Sequence, residues 1–225
     1  MFLLPHPESE ATFTLLARRL RETVERGLAT GRREPVALVG VGGTAATGKT
    51  TLAKRLADTA SVPAAILATD GYMMLRPERR KRHITGPNPA ANDLARLARD
   101  VAAVARGAPS KVLVRVETPE GRKSLEQDLA PCPLVIVEGL VALYPEIETP
   151  YDLAIFLDGP AEDELSVRLD RDVNERQHPR DEVTEVFWLR QSEYDRFLRP
   201  TAKRADVRLW ARREDDRYRL SVRDT

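Results

Sequence analysis

The sequence has little of what disulfide-stapled, membrane-bound or nucleic-acid-binding proteins depend on. It contains 1 cysteine, Cys132, in 225 residues, so a secreted fold held by internal disulfides is excluded and Cys132 is expected to be structural. No run approaches the roughly 18 consecutive apolar residues of a membrane span, and the first residues lack the basic and apolar pattern of a secretory leader. We therefore expect a cytoplasmic protein without a membrane partner.

An excess of charge of one sign is also missing. The 36 lysines and arginines are balanced by 35 aspartates and glutamates, which leaves a formal net charge of +1. A domain that binds nucleic acid would carry a strong basic excess, so that partner is not expected. Hydrophobic residues still make up 42% of the chain. This is enough to bury a core in a single domain over residues 1–225, with residues 1–34 as an N-terminal helical extension.

Short apolar runs alternate with helical patterns along the chain. Runs with the length of buried strands occupy residues 36–41, 64–68, 112–116, 134–137 and 153–157, and helical spacing occupies residues 8–29, 52–60 and 93–106. This alternation predicts an α/β fold of three layers, with a mainly parallel central sheet and helices on both faces. Two charged helical segments follow, and we expect residues 161–199 to form a helical lid and the helix after it.

Residues 43–50 match the phosphate-binding pattern G-x-x-x-x-G-K-[ST] without a mismatch, between a strand pattern and a helix pattern. Glycines let such a loop wrap a phosphate chain, and backbone N–H groups at the helix N-terminus attract its charge. Lys49 is expected to reach the β and γ phosphates, and the Thr50 hydroxyl to ligate Mg²⁺. A turn that binds nothing is disfavoured by the complete match. The residues expected to bind ATP are Gly43, Thr44, Ala45, Ala46, Thr47, Gly48, Lys49, Thr50 and Thr51.

Two acidic residues follow predicted strands at the edge where open sheets bind ligands. Asp70 is placed to accept the proton of an attacking hydroxyl group and to contribute to the metal site, and Tyr72 is expected to contact the substrate beside it. Glu138 ends the run at 134–137 and is expected to hold Mg²⁺ directly or through water. The alternatives are a turn cap for Asp70 and a structural role for Glu138. No Asn-Lys-x-Asp element is present, which argues against a guanine-specific switch.

Three arginines, Arg168, Arg171 and Arg176, stand close together after the strand pattern at 153–157. We expect them to close over the triphosphate, with Arg171 acting in catalysis together with Lys49 and Asp70, and Arg168 also touching the substrate. The alternative is a solvated helix whose arginines pair with Asp170, Asp172 and Glu175. A basic run at 79–83 is either a clamp for an anionic substrate or, as we prefer here, a solvated loop.

With these motifs in place, residues 36 to about 210 resemble the uridine kinase, phosphoribulokinase and pantothenate kinase superfamily. VGVGGTAATGKTT at 39–51 resembles its phosphate loop, VIVEGLVAL at 135–143 its Walker B strand, and the segments at 156–158 and 168–176 its next strand and lid. The segment at 197–207 is similar to the one that leads into its last strand. The resemblance implies a P-loop fold and transfer of the ATP γ-phosphate to a hydroxyl of a small metabolite. It also implies Asp70 as base, Thr50 and Glu138 at Mg²⁺, and Arg171 and Arg176 over the phosphates.

The acceptor expected first from this resemblance is uridine or another nucleoside. Pantothenate, a sugar or a sugar phosphate are alternatives in the same superfamily, and a regulatory protein that binds ATP without transferring phosphate is the alternative from another class. Asp-Gly-Tyr at 70–72 is closer to the Asp-Gly-Phe of pantothenate kinases than to the Asp-Ser-Phe-Tyr of uridine kinases. A small molecule is thus the expected partner, and self-association is left open.

Overall fold

The computed structural model describes residues 4–29, 37–119, 121–175, 177–214 and 217–223. Within them the strands are β1 (Leu4–Pro5), β2 (Ala37–Gly43), β3 (Ala64–Ala68), β4 (Ser110–Thr118), β5 (Gly121–Leu129), β6 (Leu134–Glu138), β7 (Leu153–Asp158), β8 (Val207–Glu214) and β9 (Arg217–Arg223). The helices are α1 (Glu10–Ala29), α2 (Lys49–Thr59), α3 (Arg76–Lys81), α4 (Leu94–Ala105), α5 (Ala161–Arg168) and α6 (Arg180–Glu193). Both α5 and α6 continue as π-helical turns, Leu169–Glu175 and Tyr194–Leu198.

The central sheet has the strand order β1-β9-β8-β7-β2-β6-β3. β2 lies between β6 and β7 and pairs with both in parallel, and β3 and β8 extend the parallel part on either side. β9 pairs antiparallel with β8. The predicted α/β fold with a mainly parallel sheet is therefore confirmed. The carboxyl ends of β2, β3 and β6 meet at one edge, because neighbouring parallel strands point the same way.

Side chains of the central strands alternate between two hydrophobic clusters, one on each face of the sheet, as the period of a strand requires. Leu38 of β2 packs with Leu97 of α4 on one face. Val39 packs on the other face with Leu16 of α1 and Leu52 of α2. Helices thus cover both faces as predicted. In the part of the chain that the structure describes, no helix combines the length and apolar character needed to cross a bilayer.

The expected strand at 112–116 is present, but it does not join the central sheet. It lies in β4, which pairs antiparallel with β5 to form a separate two-stranded sheet. The physical reason is visible in the residues: Arg115 and Glu117 alternate with valines in β4, and β5 is almost entirely polar and exposed. Such a strand buries only one face and is unsuited to the interior of a parallel sheet. We refer to β4 and β5 as the hairpin.

Candidate active site

The phosphate loop, residues 43–50, connects the carboxyl end of β2 to the start of α2. Gly43 leaves the strand with φ of +132°, and a Cβ atom there would lie 1.9 Å from the carbonyl oxygen of Leu157. The N–H group of Thr44 donates to that same oxygen at 2.9 Å. Only glycine therefore allows the loop to pass this close to β7.

The N–H groups of the loop fit a chain of phosphates. Among the described residues, none accepts a hydrogen bond from the N–H groups of Ala46, Thr47 or Gly48. Gly48 is also the N-cap of α2 and supplies no side-chain cap. Free N–H groups at a helix N-terminus bind anions. The loop consequently has the donors that ATP requires.

Lys49 lies inside this loop and not in solvent. It is 8% exposed, and its Nζ donates to the carbonyl oxygen of Thr44. Burial lowers the pKa of Lys49, against the attraction of Glu138, Asp70 and Glu164. A buried ammonium group surrounded by acids and facing an anion-binding loop is placed to hold a phosphate oxygen.

Thr50 and Glu138 are brought together from α2 and β6. The Thr50 hydroxyl donates toward both carboxylate oxygens of Glu138, at 3.2 and 3.3 Å. Burial raises the pKa of Glu138 and the charge of Asp70 adds to this, while Lys49 opposes it. No group of three or more His, Cys, Asp or Glu side chains with a metal-binding arrangement exists in the described ranges. Since Mg²⁺ commonly takes one or two carboxylates and completes its shell with phosphate oxygens and water, these residues fit a Mg²⁺ ion that arrives with a nucleotide.

Asp70 stands beside this pair on the neighbouring strand end. It lies in a single turn, Thr69–Tyr72, directly after β3, and Ala68 of β3 is in register with Glu138. A Cβ atom on Gly139 would lie 1.9 Å from Oγ1 of Thr69, so the two strand ends touch. Asp70 is exposed and acts electrostatically on Lys49 and Glu138. The structure thus places both strand-end carboxylates next to the phosphate loop.

Arg168 is close to the loop but is held by acids of its own segment. It is 8% exposed, its Nε donates to Glu164 at 2.6 Å and its Nη1 lies 3.9 Å from Asp172. Burial opposes its charge, but Glu164 and Asp172 raise its pKa overall. The positive charge of Arg168 acts on Lys49 in the phosphate loop. The expected contact of Arg168 with phosphate stays a prediction.

The other two lid arginines lie outside what the structure describes. The structure does not describe the side chain of Arg171 or any part of Arg176. Their expected positions over the phosphates stay predictions.

The expected substrate contact of Tyr72 stays a prediction, because its hydroxyl is bonded within the protein. The residue is 3% exposed, its hydroxyl donates to Asp100 Oδ2 at 2.7 Å and accepts from the N–H group of Leu113 at 3.2 Å. Both capacities of the hydroxyl are used within the protein. Tyr72 therefore joins the strand end to the hairpin and to α4, and the structure gives no support to a substrate contact.

Sequence reasoning missed Tyr194, which connects the turn that follows α6 to the phosphate loop. Its hydroxyl accepts from the N–H group of Ala45 at 3.0 Å and donates to Glu164 Oε1 at 3.1 Å. The residue is 0% exposed. No motif marks it, and its position in the apolar stripe of α6 was the only available signal.

The basic run at 79–83 divides into two parts. Lys81, Arg82 and His83 are exposed, as expected of a solvated loop. Arg79 is different: it is partly buried, and its Nε donates to the carbonyl oxygen of Met74 at 3.1 Å. The expectation of a solvated loop was therefore wrong for Arg79.

Known proteins that resemble this chain are described as kinases. A sequence model described as "Phosphoribulokinase / Uridine kinase family" matches residues 38–216. A phosphoribulokinase of Synechocystis sp. is 26% identical over 182 residues, which cover 79% of this chain and 54% of that protein. A uridine kinase of Lactobacillus helveticus is 24% identical over 184 residues, which cover 79% of this chain and 87% of that protein. This chain thus spans about half the length of the first relative and most of the second.

The fold also has a solved counterpart. The D-glycerate 3-kinase from Cryptococcus neoformans var. grubii superposes with a TM-score of 0.66 at 13% identity, over 89% of this chain and 95% of that one. At this identity the similarity supports the fold alone.

Proposed function

Because the chain belongs to the phosphoribulokinase/uridine kinase family, we propose that it is an ATP- and Mg²⁺-dependent kinase that phosphorylates a hydroxyl group of a small molecule. The observation that carries this proposal is the meeting of three features at one sheet edge. These are the anion-binding loop with Lys49, the Thr50–Glu138 pair, and the exposed carboxylate of Asp70. A protein that only binds ATP needs the first two features but has no use for the third.

Each residue has a distinct task in this mechanism. The N–H groups of residues 46–48 and the ammonium group of Lys49 hold and orient the phosphate chain. The Thr50 hydroxyl and the Glu138 carboxylate hold Mg²⁺, which when bound offsets the charge of the phosphate oxygens. Asp70 accepts the proton of the acceptor hydroxyl, and its exposure leaves room for that molecule. Arg168 and Arg171 then stabilise the charge that spreads over the transferred group.

The acceptor is the finer part of the proposal. Uridine or another nucleoside stays the prediction made from the sequence, and the name of the Lactobacillus helveticus relative supports it. A sugar phosphate and glycerate are further candidate acceptors, because the Synechocystis protein is named a phosphoribulokinase and the Cryptococcus structure a D-glycerate 3-kinase. A protein that binds ATP without a metabolite acceptor is the rival from another class.

A screen for acceptor-dependent ADP release tests the proposal. The purified protein is incubated with ATP, Mg²⁺ and one acceptor at a time from a panel of nucleosides, pantothenate, D-glycerate, fructose and ribulose 5-phosphate. We expect ADP release above the ATP-only rate with at least one acceptor, and loss of that release when EDTA removes the metal. Tight ATP binding without acceptor-dependent release from any compound would favour the rival.

A further inference from the structure

The inward face of α6 and its continuation carries a charged residue among buried apolar and aromatic ones. Val183, Phe187 and Tyr194 recur at helical spacing and are 3%, 1% and 0% exposed, and Arg190 completes the stripe at 8%. Its Nε has no hydrogen-bond partner among the described residues. A buried guanidinium that lacks a carboxylate partner is strongly destabilising. Packing alone therefore does not account for an arginine at this position.

Arg190 faces a second poorly compensated guanidinium, that of Arg79 in α3. Burial and the positive charge of Arg190 lower the pKa of Arg79 to about 10, with Asp70 as the acid that opposes them. Burial and the charge of Arg168 likewise lower the pKa of Arg190, against the attraction of Glu164 and a hydrogen bond with the Tyr194 hydroxyl. Among the described residues, neither Arg79 nor Arg190 has a carboxylate within 4.0 Å. Two like charges are thus held near each other and near the proposed catalytic base.

The segment that carries Arg79 is fixed against α6 at two places. At one end, Glu182 pairs with Arg76 at 3.1 Å and also with Arg80. At the other end, the buried carboxylate of Glu193 accepts from the N–H group of Thr85 at 2.9 Å and from Asn88 Nδ2 at 2.8 Å. Glu182 and Glu193 are used in these anchors, and neither forms an ion pair with Arg79 or Arg190 among the described residues. Because Glu182 and Glu193 hold this segment at both ends, the segment that carries Arg79 has a fixed position against α6.

Arg115 of the hairpin adds positive charge on the side of Asp70. Its Nη2 donates to the carbonyl oxygen of Asp70 at 2.8 Å and also to that of Met73. Backbone carbonyl groups thus accept hydrogen bonds from the Arg115 guanidinium, but they do not neutralise its positive charge. The carboxylate of Asp70 therefore acts electrostatically on two guanidinium groups, those of Arg79 and Arg115.

We propose that Arg79 and Arg190 form a subsite for an anionic group, a carboxylate or a phosphate, on the molecule whose hydroxyl group is phosphorylated at Asp70. The proposal rests on the proposed kinase function and specifies its substrate class. The planar fork of a guanidinium matches the oxygens of both groups. An anion there would give each guanidinium the close partner that no carboxylate of the described residues supplies within 4.0 Å, whereas a neutral nucleoside would not. The subsite therefore favours an anionic hydroxy compound as the acceptor over the nucleoside predicted from the sequence.

Matched acceptor pairs test the subsite in the wild-type protein. The pairs are D-glycerate and glycerol, pantothenate and its neutral alcohol pantothenol, and ribulose 5-phosphate and ribulose, with uridine as a further neutral acceptor. We expect one anionic member to be phosphorylated, with kcat/KM about 100-fold above that of its neutral partner, the range that a charged hydrogen-bonding pair supplies. Comparison of the carboxylate pairs with the phosphate pair identifies the anion.

Single substitutions locate the effect. Arg190→Gln and Arg79→Gln should each raise KM for the anionic acceptor about 10-fold or more, since each removes a charged hydrogen bond. Arg79→Gln should leave KM for ATP unchanged. Arg82→Gln, an exposed arginine just after α3, is the matched control and should change neither. Arg190→Gln should also raise the Tm of the ligand-free protein because an uncompensated buried charge is removed. If that variant does not fold, Arg79→Gln carries the kinetic test.

The outcomes separate the subsite from the kinase function. Phosphorylation of uridine as fast as any anionic acceptor would overturn the subsite and leave the kinase function intact. A raised KM for ATP in Arg79→Gln or Arg190→Gln, with the acceptor KM unchanged, would assign the pair to the nucleotide and also overturn it. No acceptor-dependent ADP release from any compound would refute the kinase function itself, and the subsite with it.

Discussion

Removal of the Tyr194 hydroxyl tests how the turn that follows α6 holds the phosphate loop. In Tyr194→Phe the partly buried N–H group of Ala45 loses its partner at 3.0 Å, and Glu164 loses a donor at 3.1 Å. An unpaired buried donor costs about 1–3 kcal/mol, and a hydrogen bond to a charged group contributes about 1.5–3 kcal/mol. Because Glu164 keeps its bond with Arg168, we expect the lower part of the summed range, about 2.5–4 kcal/mol in the free energy of unfolding.

The same substitution should weaken ATP binding, because the loop at Ala45 is no longer fixed from the lid side. We expect the Kd for ATP to rise about 10-fold, which corresponds to about 1.4 kcal/mol. Urea denaturation measures the stability change, and calorimetric titration with ATP and Mg²⁺ measures the affinity.

Tyr72→Phe is the matched control for this experiment. Its hydroxyl also donates to a carboxylate, Asp100, and accepts from a backbone N–H group, that of Leu113, but neither partner belongs to the phosphate loop. We expect a similar loss of stability with an unchanged Kd for ATP. If Tyr194→Phe bound ATP as tightly as wild type, or Tyr72→Phe weakened binding equally, the argument that Tyr194 positions the loop would be refuted.

Three further substitutions probe the loop and the metal pair. Burial raises the pKa of Glu138 above its usual 4.5, so its ionised form destabilises the ligand-free fold as pH rises. Glu138→Gln should therefore raise Tm at pH 7 while abolishing phosphate transfer. The gain in Tm should vanish near pH 4, and an equal gain in Tm at both pH values would contradict the argument from burial. Lys49→Ala should weaken ATP binding and lower kcat together, and an unchanged kcat at saturating ATP would remove Lys49 from the mechanism. In Gly43→Ala the new Cβ would lie 1.9 Å from the Leu157 oxygen, and we expect a loss of about 3 kcal/mol or more of stability. Gly27→Ala is the control, because its Cβ would lie 3.8 Å from the nearest atom. A thermal melt should show that Gly27→Ala is tolerated.

The features that the sequence predicted are those written along consecutive residues. The phosphate loop is one continuous motif, and Asp70 and Glu138 each follow a strand whose apolar run is visible in the chain. Because parallel strands end at one sheet edge, the predicted parallel sheet was sufficient to bring these groups to the same edge. The family resemblance is confirmed by the match over residues 38–216.

The features that the sequence did not predict depend on contacts between distant segments. Tyr194 and Ala45 are 149 positions apart, and Glu193 reaches Thr85 across 108. Nothing in the local pattern around Arg190 distinguishes it from a surface arginine of a charged helix. The burial of Tyr72 was also not predicted: its position near Asp70 in the chain suggested an open site, but its side chain lies in the core.

Transfer of labelled γ-phosphate from ATP by Asp70→Asn tests the central claim most directly. The measurement compares single-turnover transfer to the best acceptor with the Kd for ATP in the same variant. We expect ATP affinity to stay near the wild-type value while transfer slows about 10²- to 10⁴-fold, the usual contribution of a general base. Transfer at the wild-type rate would contradict the assignment of Asp70 and the arrangement of the site that depends on it.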